Sequence, residues 1–355
     1  MRKILLLFSV TIFVLGAILL AQAPGSGSYS VVKTLTVGGD GGWDYVNADP
    51  DARRLYIART ARGNMRVTVY NLDTLEPAGM IPIMANGVHG VAIDPKSGHG
   101  IASSKPITMF DRKTQAVIKT IDVEGNPDGL LFDPFNARFH VLSHQMPYDT
   151  VINAADGSVA GTIDLGGAPE QAASDGKGKI YVDLQDKNAI AVVDAKTMTV
   201  NAKYDIAGSG GACAGLALDE KNQILFATCR NPQNMVILSA KDGKVITTIP
   251  IGPGTDGAAF NPKTMEAFSP NGGDGTLTVV KENSPTSFVL EQTLQTKTGA
   301  RTFALDPNTG QLYLVTAEFG PPPPPTAEAE KGRGGPRGRG AQLPDSFTIL
   351  VVRKK

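Results

Sequence analysis

Six ionisable residues recur at one position of a repeating frame. Asp44, His89, Asp128, Glu170, Asp256 and Arg301 each stand five residues before a turn-opening residue: Asp49, Asp94, Asp133, Asp175, Asn261 and Asp306. The seventh such position holds Ala214, five before Asp219. Brought together, four carboxylates, an imidazole and a guanidinium could bind a hard divalent cation through oxygen, hold a cationic or polyol ligand, or act as acid and base. Crowded carboxylates raise one another's pKa, and Arg301 lowers that of any acid it touches. A water-filled opening also tolerates polar residues without any ligand. The argument for function is their concentration in a stretch otherwise rich in Gly, Ala, Val and Leu.

The frame itself is a repeat. The seven turn-opening residues are 45, 39, 42, 44, 42 and 45 residues apart, a mean of about 43, within the range of four-stranded propeller blades. Each unit has a short apolar strand ending at the turn, as in Gly90-Val91-Ala92-Ile93-Asp94, then a strand such as Leu312-Tyr313-Leu314-Val315. A third alternates, as in Val67-Thr68-Val69-Tyr70, and a fourth closes the unit, as in Val245-Ile246-Thr247-Thr248-Ile249. No stretch shows competing helical periodicity. This predicts an all-β fold, a seven-bladed β-propeller of four-stranded antiparallel blades. The last unit supplies only three strands, ending with Phe347–Val352, and residues 29–37 offer the spare one. Pairing them would close the ring and remove its open edges.

Strand parity puts the start of the first strand and the loop after the second on the same face. That loop adds His144 and Arg230 to the candidate ligand-binding set, with Arg59, Lys105, Tyr148, Asp186 and Asn271 as further rim residues. His99 reads as an exposed turn residue, His140 as a packing residue, and Trp43 as a cover over a seam between blades. Cys213 and Cys229 flank a hairpin centred near residue 221.5. Directly opposed residues there sum to about 443, and this pair falls one short, so a Cys213–Cys229 disulfide is expected.

Composition removes several classes. With 34 Lys+Arg against 34 Asp+Glu, no basic field exists for specific nucleic-acid binding. Two cysteines and four histidines rule out or starve a cysteine zinc site and a multi-histidine metal cluster, and the absence of Cys-x-x-Cys-His excludes covalent c-type haem. No phosphate-binding or dinucleotide loop lies in a βαβ setting. Residues 1–23 read as a signal peptide: Arg2 and Lys3, the apolar Ile4–Leu20, then Ala21-Gln22-Ala23. The apolar stretch is slightly long for a cleaved signal, which leaves a retained anchor as the alternative. No later stretch could span a membrane. Residues 24–355 form one domain, interrupted at 319–346 by a Pro/Gly/Arg-rich segment whose composition suits a disordered loop.

At this point the chain resembles the YVTN-repeat (YncE-like) propeller family over roughly residues 29–355. The tetrapeptide survives loosely in Tyr56-Ile57-Ala58-Arg59, Tyr181-Val182-Asp183-Leu184, Phe226-Ala227-Thr228-Cys229 and Tyr313-Leu314-Val315-Thr316. The resemblance implies an exported bacterial protein, periplasmic or secreted. The reading that follows is a monomeric binding module for a small ligand or a cell-envelope protein, with no cofactor required and a divalent cation possible. The alternative is a metal-dependent enzyme of lactonase or lyase type. In it Asp44, Asp128, Glu170 and Asp256 would hold the ion, His89 would be base or acid, and Arg301 would stabilise an oxyanion.

Overall fold

The computed structural model describes residues 28–321 and 340–355. The expected signal peptide and most of the Pro/Gly/Arg-rich segment lie outside them. Within the described residues, 28 strands form seven four-stranded antiparallel sheets. The inner strands, numbered here by blade 1 to 7, are Gly42–Asp49, Val91–Asp94, Pro127–Asp133, Pro169–Ser174, Cys213–Asp219, Ala259–Asn261 and Phe303–Leu305. The fold is a seven-bladed β-propeller.

The repeated turn residue shows why each blade forms. In every blade its side-chain oxygen accepts the backbone N–H two or three residues on: Asp49 from Ala52 at 3.0 Å, Asp94 from Lys96 at 2.9 Å, Asp133 from Phe135 at 3.3 Å. Asp175, Asp219, Asn261 and Asp306 do the same with Lys177, Lys221, Lys263 and Asn308. This pinned turn reverses the chain from the first strand to the second. All seven residues are buried. Basic side chains of the neighbouring blade tie some of them sideways: Arg53 reaches Asp306 at 2.9 Å, and Arg112 clamps Asp49. Apolar residues of adjacent blades fill the seams. Trp43 and Leu55 of blade 1, for example, pack with Tyr313 and Phe347 of blade 7.

The ring closes as the strand count requires. Tyr29–Thr36 pairs antiparallel with Thr348–Lys354 and becomes the outermost strand of blade 7. The same N-terminal strand grips blade 6. Tyr29 N donates to Gln292 Oε1 at 2.8 Å, and the Tyr29 hydroxyl donates to Glu266. Glu266 has no exposure and also takes Lys354 of the last strand as an ion pair.

The inserted segment is ordered at its base, where composition suggested disorder throughout 319–346. Phe319 bridges Gln342, Gly320 N donates to Ala341 O at 2.8 Å, and Leu343 N donates to Glu318 O at 2.8 Å. The base is held because Phe319 packs on Trp43, with ring centres 6.1 Å apart.

Candidate functional site

Blades 1, 3, 4 and 5 each carry a register shift in the inner strand just before its regular pairing begins. Asp44, Asp128, Glu170 and Ala214 lie in these bulges. A bulge frees a residue from the ladder and re-aims its side chain, here toward the central opening. His89 and Arg301 come from the corresponding positions of blades 2 and 7, and Asp256 from that of blade 6.

The six residues converge. His89 Nδ1 lies 2.8 Å from Asp44 Oδ2 and 3.3 Å from Asp128 Oδ1. Arg301 Nε donates to Asp256 Oδ2 at 2.6 Å, and its terminal nitrogen stands 3.5 Å from Asp44 Oδ1. Two residues of the neighbouring loops complete the circuit. His144 Nε2 is 3.1 Å from Asp128 Oδ2 and 3.6 Å from Glu170 Oε1. Arg230 pairs with Asp256 through one guanidinium nitrogen and donates from Nε to Thr255 O at 2.9 Å. The result is an unbroken run of opposite charges: His144, Asp128, His89, Asp44, Arg301, Asp256, Arg230. Ala214, the seventh ring position, is buried and takes no part.

Position along the second strand decides which rim candidates join. Ser143, Leu184 and Cys229 oppose the residue six before each turn, and His144, Gln185 and Arg230 come one residue later. The equivalents are Thr60 in blade 1 and Gly272 in blade 6, since Arg59 and Asn271 fill the opposing position. Three rim candidates were therefore one residue off, and one step along a strand turns a side chain to the other face. Arg59 is buried, its guanidinium 3.5 Å from the Phe347 ring centre and bonded to the carbonyls of Gly42 and Asp40. Asn271 is fully buried against Thr278 and Ser269. Asp186 pairs with Lys187 and accepts Ala168 N, outside the circuit. Lys105 donates to Gly125 O, and Tyr148 packs against the apolar cluster of blades 3 and 4.

His99, read as exposed, is half-buried and holds Ala154 O of the next blade at 2.8 Å. His140 is buried, as a packing residue would be, and is also paired with Asp149 at 2.7 Å. Trp43 covers the blade 7–blade 1 seam, and its carbonyl accepts Arg301 at 3.2 Å. Cys213 and Cys229 are bonded. They oppose each other directly, and the pairing sum falls one short because the Ala214 bulge intervenes.

Three participants were missed. Tyr45 donates its hydroxyl to Glu170 Oε2 at 3.1 Å, and Gln185 donates to Glu170 Oε1. Asp183 has no exposure and accepts Gln171 N at 3.2 Å, while its Oδ2 has no partner. Tyr45 did have a sequence signal. Four residues before each turn come Tyr45, Gly90, Gly129, Gln171, Gly215, Gly257 and Thr302, so four glycines leave room for one aromatic. A Cβ at Gly129 would meet Glu170 O at 2.4 Å, and one at Gly90 would touch the Tyr45 ring at 3.4 Å. Beneath Tyr45, Glu170 and Gln171 lies a cavity of about 300 Å³ inside the channel, walled by Leu216 and Phe303.

The environment moves the acids and bases apart. Burial, then Asp44, push Asp128 up to about 6, although both imidazoles oppose this. Burial also raises Asp256, against the pull of Arg230 and Arg301. His89 is raised, first by its bond to Asp44. His144 is pushed up to about 9, first by Glu170. Burial opposes the charge on Arg301, but Asp256 and Asp44 outweigh it and raise its pKa. Desolvation and the surrounding carboxylates hold the Tyr45 phenol neutral. The mouth thus sets four carboxylates against two guanidiniums and two imidazoles that favour the charged form. It is balanced rather than acidic, and it presents both signs side by side.

No family model matches this chain, and no curated protein matches it. Solved structures do: 1494 chains match. One, from a mitotic checkpoint complex crystal structure, has a TM-score of 0.70 at 12% identity and covers 98% of both chains. Another, from Kuenenia stuttgartiensis hydrazine synthase, has a TM-score of 0.66 at 15% identity, covering 84% of this chain and 96% of that one. So wide a spread at such identities shows the propeller fold and leaves function to the side chains at its mouth.

Proposed function

We propose that this protein is an exported propeller of the YVTN-repeat kind whose mouth binds a small polar ligand. A seven-bladed propeller is in general a scaffold for binding ligands or proteins. The observation that carries the narrower reading is the continuous circuit from His144 to Arg230. Its side chains are between about one-tenth and two-fifths exposed, so their remaining donors and acceptors are open to a ligand. The guanidiniums of Arg230 and Arg301 suit a carboxylate, and the Asp128–Glu170–His144 side suits hydroxyl or amine donors. A hydroxy acid, a uronic acid or an amino acid carries both. Export is supported by the signal-like start and by the Cys213–Cys229 bond, which fits an oxidising compartment. Among the described residues no helix is long and apolar enough to cross a membrane.

The test is a melting-temperature and calorimetric screen of hydroxy acids, uronic acids, amino acids and lactones. It uses the wild type, Arg230→Ala and Arg301→Ala. The expected result is a compound that raises the wild-type melting temperature saturably and has at least about tenfold weaker affinity for each variant, the loss of one charge-assisted contact. Saturable binding unchanged in both variants would move the site elsewhere. Turnover of a lactone would replace binding with catalysis through His89 and Asp44. A silent screen with capture of an envelope protein at this face would replace the small ligand with a protein partner.

A further inference from the structure

Each imidazole at the mouth faces two carboxylate oxygens through a single ring nitrogen. For His89 Nδ1 the separations are 2.8 and 3.3 Å. For His144 Nε2 they are 3.1 and 3.6 Å. The geometry of a hydrogen bond is met between His89 and Asp44, and the other three oxygens stand by charge alone. Ligand atoms held at about 2.0–2.2 Å from a shared ion stand about 2.8–3.6 Å apart in octahedral or tetrahedral arrangements. All four separations fall in that interval. The ligand atoms form two sets, Asp44/His89/Asp128 and Asp128/His144/Glu170, each with its atoms within 4.8 Å of one another. Asp128 belongs to both, one oxygen turned to each imidazole.

We propose that these five residues form a first-row transition-metal centre in which Asp128 is the shared ligand. Only neutral imidazole ligates, so binding releases the ring protons of His89 and His144 to solvent. The ligand set differs from the one the sequence suggested. His89 and His144 enter it, and mixed imidazole and carboxylate donors suit zinc or manganese better than the all-oxygen shell of calcium. Asp256 leaves it, because Arg230 and Arg301 already hold both of its oxygens. The groups beneath match a ligand-orienting layer. Tyr45 and Gln185 each donate to Glu170, fixing its carboxylate. Such supporting groups orient metal ligands.

This inference takes the Asp128–Glu170–His144 donors that the binding reading offers to hydroxyl or amine groups, and its test uses the metal ion alone, so failure of one is distinguishable from failure of the other. The full chain is stripped with chelator and dialysed. It is then titrated with ZnCl2 and MnCl2 by calorimetry, and with CoCl2 by visible absorption, which reports nitrogen and oxygen coordination directly. The expected result is saturable binding of zinc or manganese. Asp128→Asn should abolish it, His144→Gln and His89→Gln should each weaken it at least about tenfold, and Tyr45→Phe should weaken it less. His144 is a part-exposed loop residue, so its variant keeps the test decisive if Asp128→Asn does not fold. The exposed Lys187→Ala serves as the unaltered control. Absence of saturable binding in the wild type overturns the proposal, as does binding unchanged in the His89 and His144 variants.

Discussion

At the scale of single residues, burial against charge decides behaviour, and it does so away from the mouth as well as at it. Glu282, in the third strand of blade 6, is buried and donor-poor. Asn222 holds one oxygen at 2.7 Å, and the other has no partner. Burial, with Asp219 nearby, pushes its pKa up to about 7. A carboxyl with a folded pKa above its unfolded value binds its proton more tightly when folded. Its contribution is therefore fully present below about pH 4.5 and is lost as pH rises through about 7. The wild type should lose up to about 3 kcal/mol through this group between those limits. Glu282→Gln should flatten that slope, so the variant gains on the wild type from pH 5 to pH 8 in urea melts. Parallel pH profiles would show that Glu282 is not desolvated. At the mouth, Asp44, Asp128, Glu170 and Asp256 were legible because they keep one offset from a repeated turn. His144 and Arg230 were legible only as loop residues, since their register depends on bulges that composition does not reveal.

At the scale of elements, the Cys213–Cys229 bond ties the first two strands of blade 5 at the mouth, closing a loop with a sequence separation of 16. A loop of this length is worth about 2–4 kcal/mol through the unfolded chain. Reduction, or Cys229→Ser with Cys213→Ser, should lower the denaturant midpoint accordingly with little change in slope. An unaltered midpoint under reductant would mean that the hairpin packing alone suffices. The same hairpin shows where element-level reading stops. Counting residues across the turn located the pair to within one position, and the missing unit was the Ala214 bulge. Arg59, Asp186 and Asn271 failed for the same cause, one step of register along the second strand.

At the scale of the whole molecule, stability rests on closure. Residues 28–36 pair with the last strand and also engage Glu266, Gln292 and Glu291 of blade 6. Deleting them would bare the edge of Thr348–Lys354, remove the buried Tyr29 ring and leave Glu266 with one partner fewer. Losing the Tyr29 side chain alone should cost about 3–5 kcal/mol. The expected outcome is a broadened melt at a temperature lower by at least about ten degrees, followed by calorimetry. A sharp melt at the wild-type temperature would mean that three strands of blade 7 hold the ring unaided. Glu266→Ala should reproduce part of the loss, because it strands Lys354 and the Tyr29 hydroxyl.

By itself the sequence determined the seven-fold repeat, the four-strand grammar, closure by the N-terminal strand and the offset shared by six ionisable residues. These follow from local rules: turn chemistry at each Asp or Asn and alternation along each strand. Tertiary structure alone decided which charges meet. Arg230 joins Arg301 on Asp256, both imidazoles share Asp128, and Tyr45 crosses the space left by the glycines beneath them. Those contacts join residues as far apart as 125 positions, as between Tyr45 and Glu170. They depend on bulges and on the ring's curvature, which local spacing does not encode.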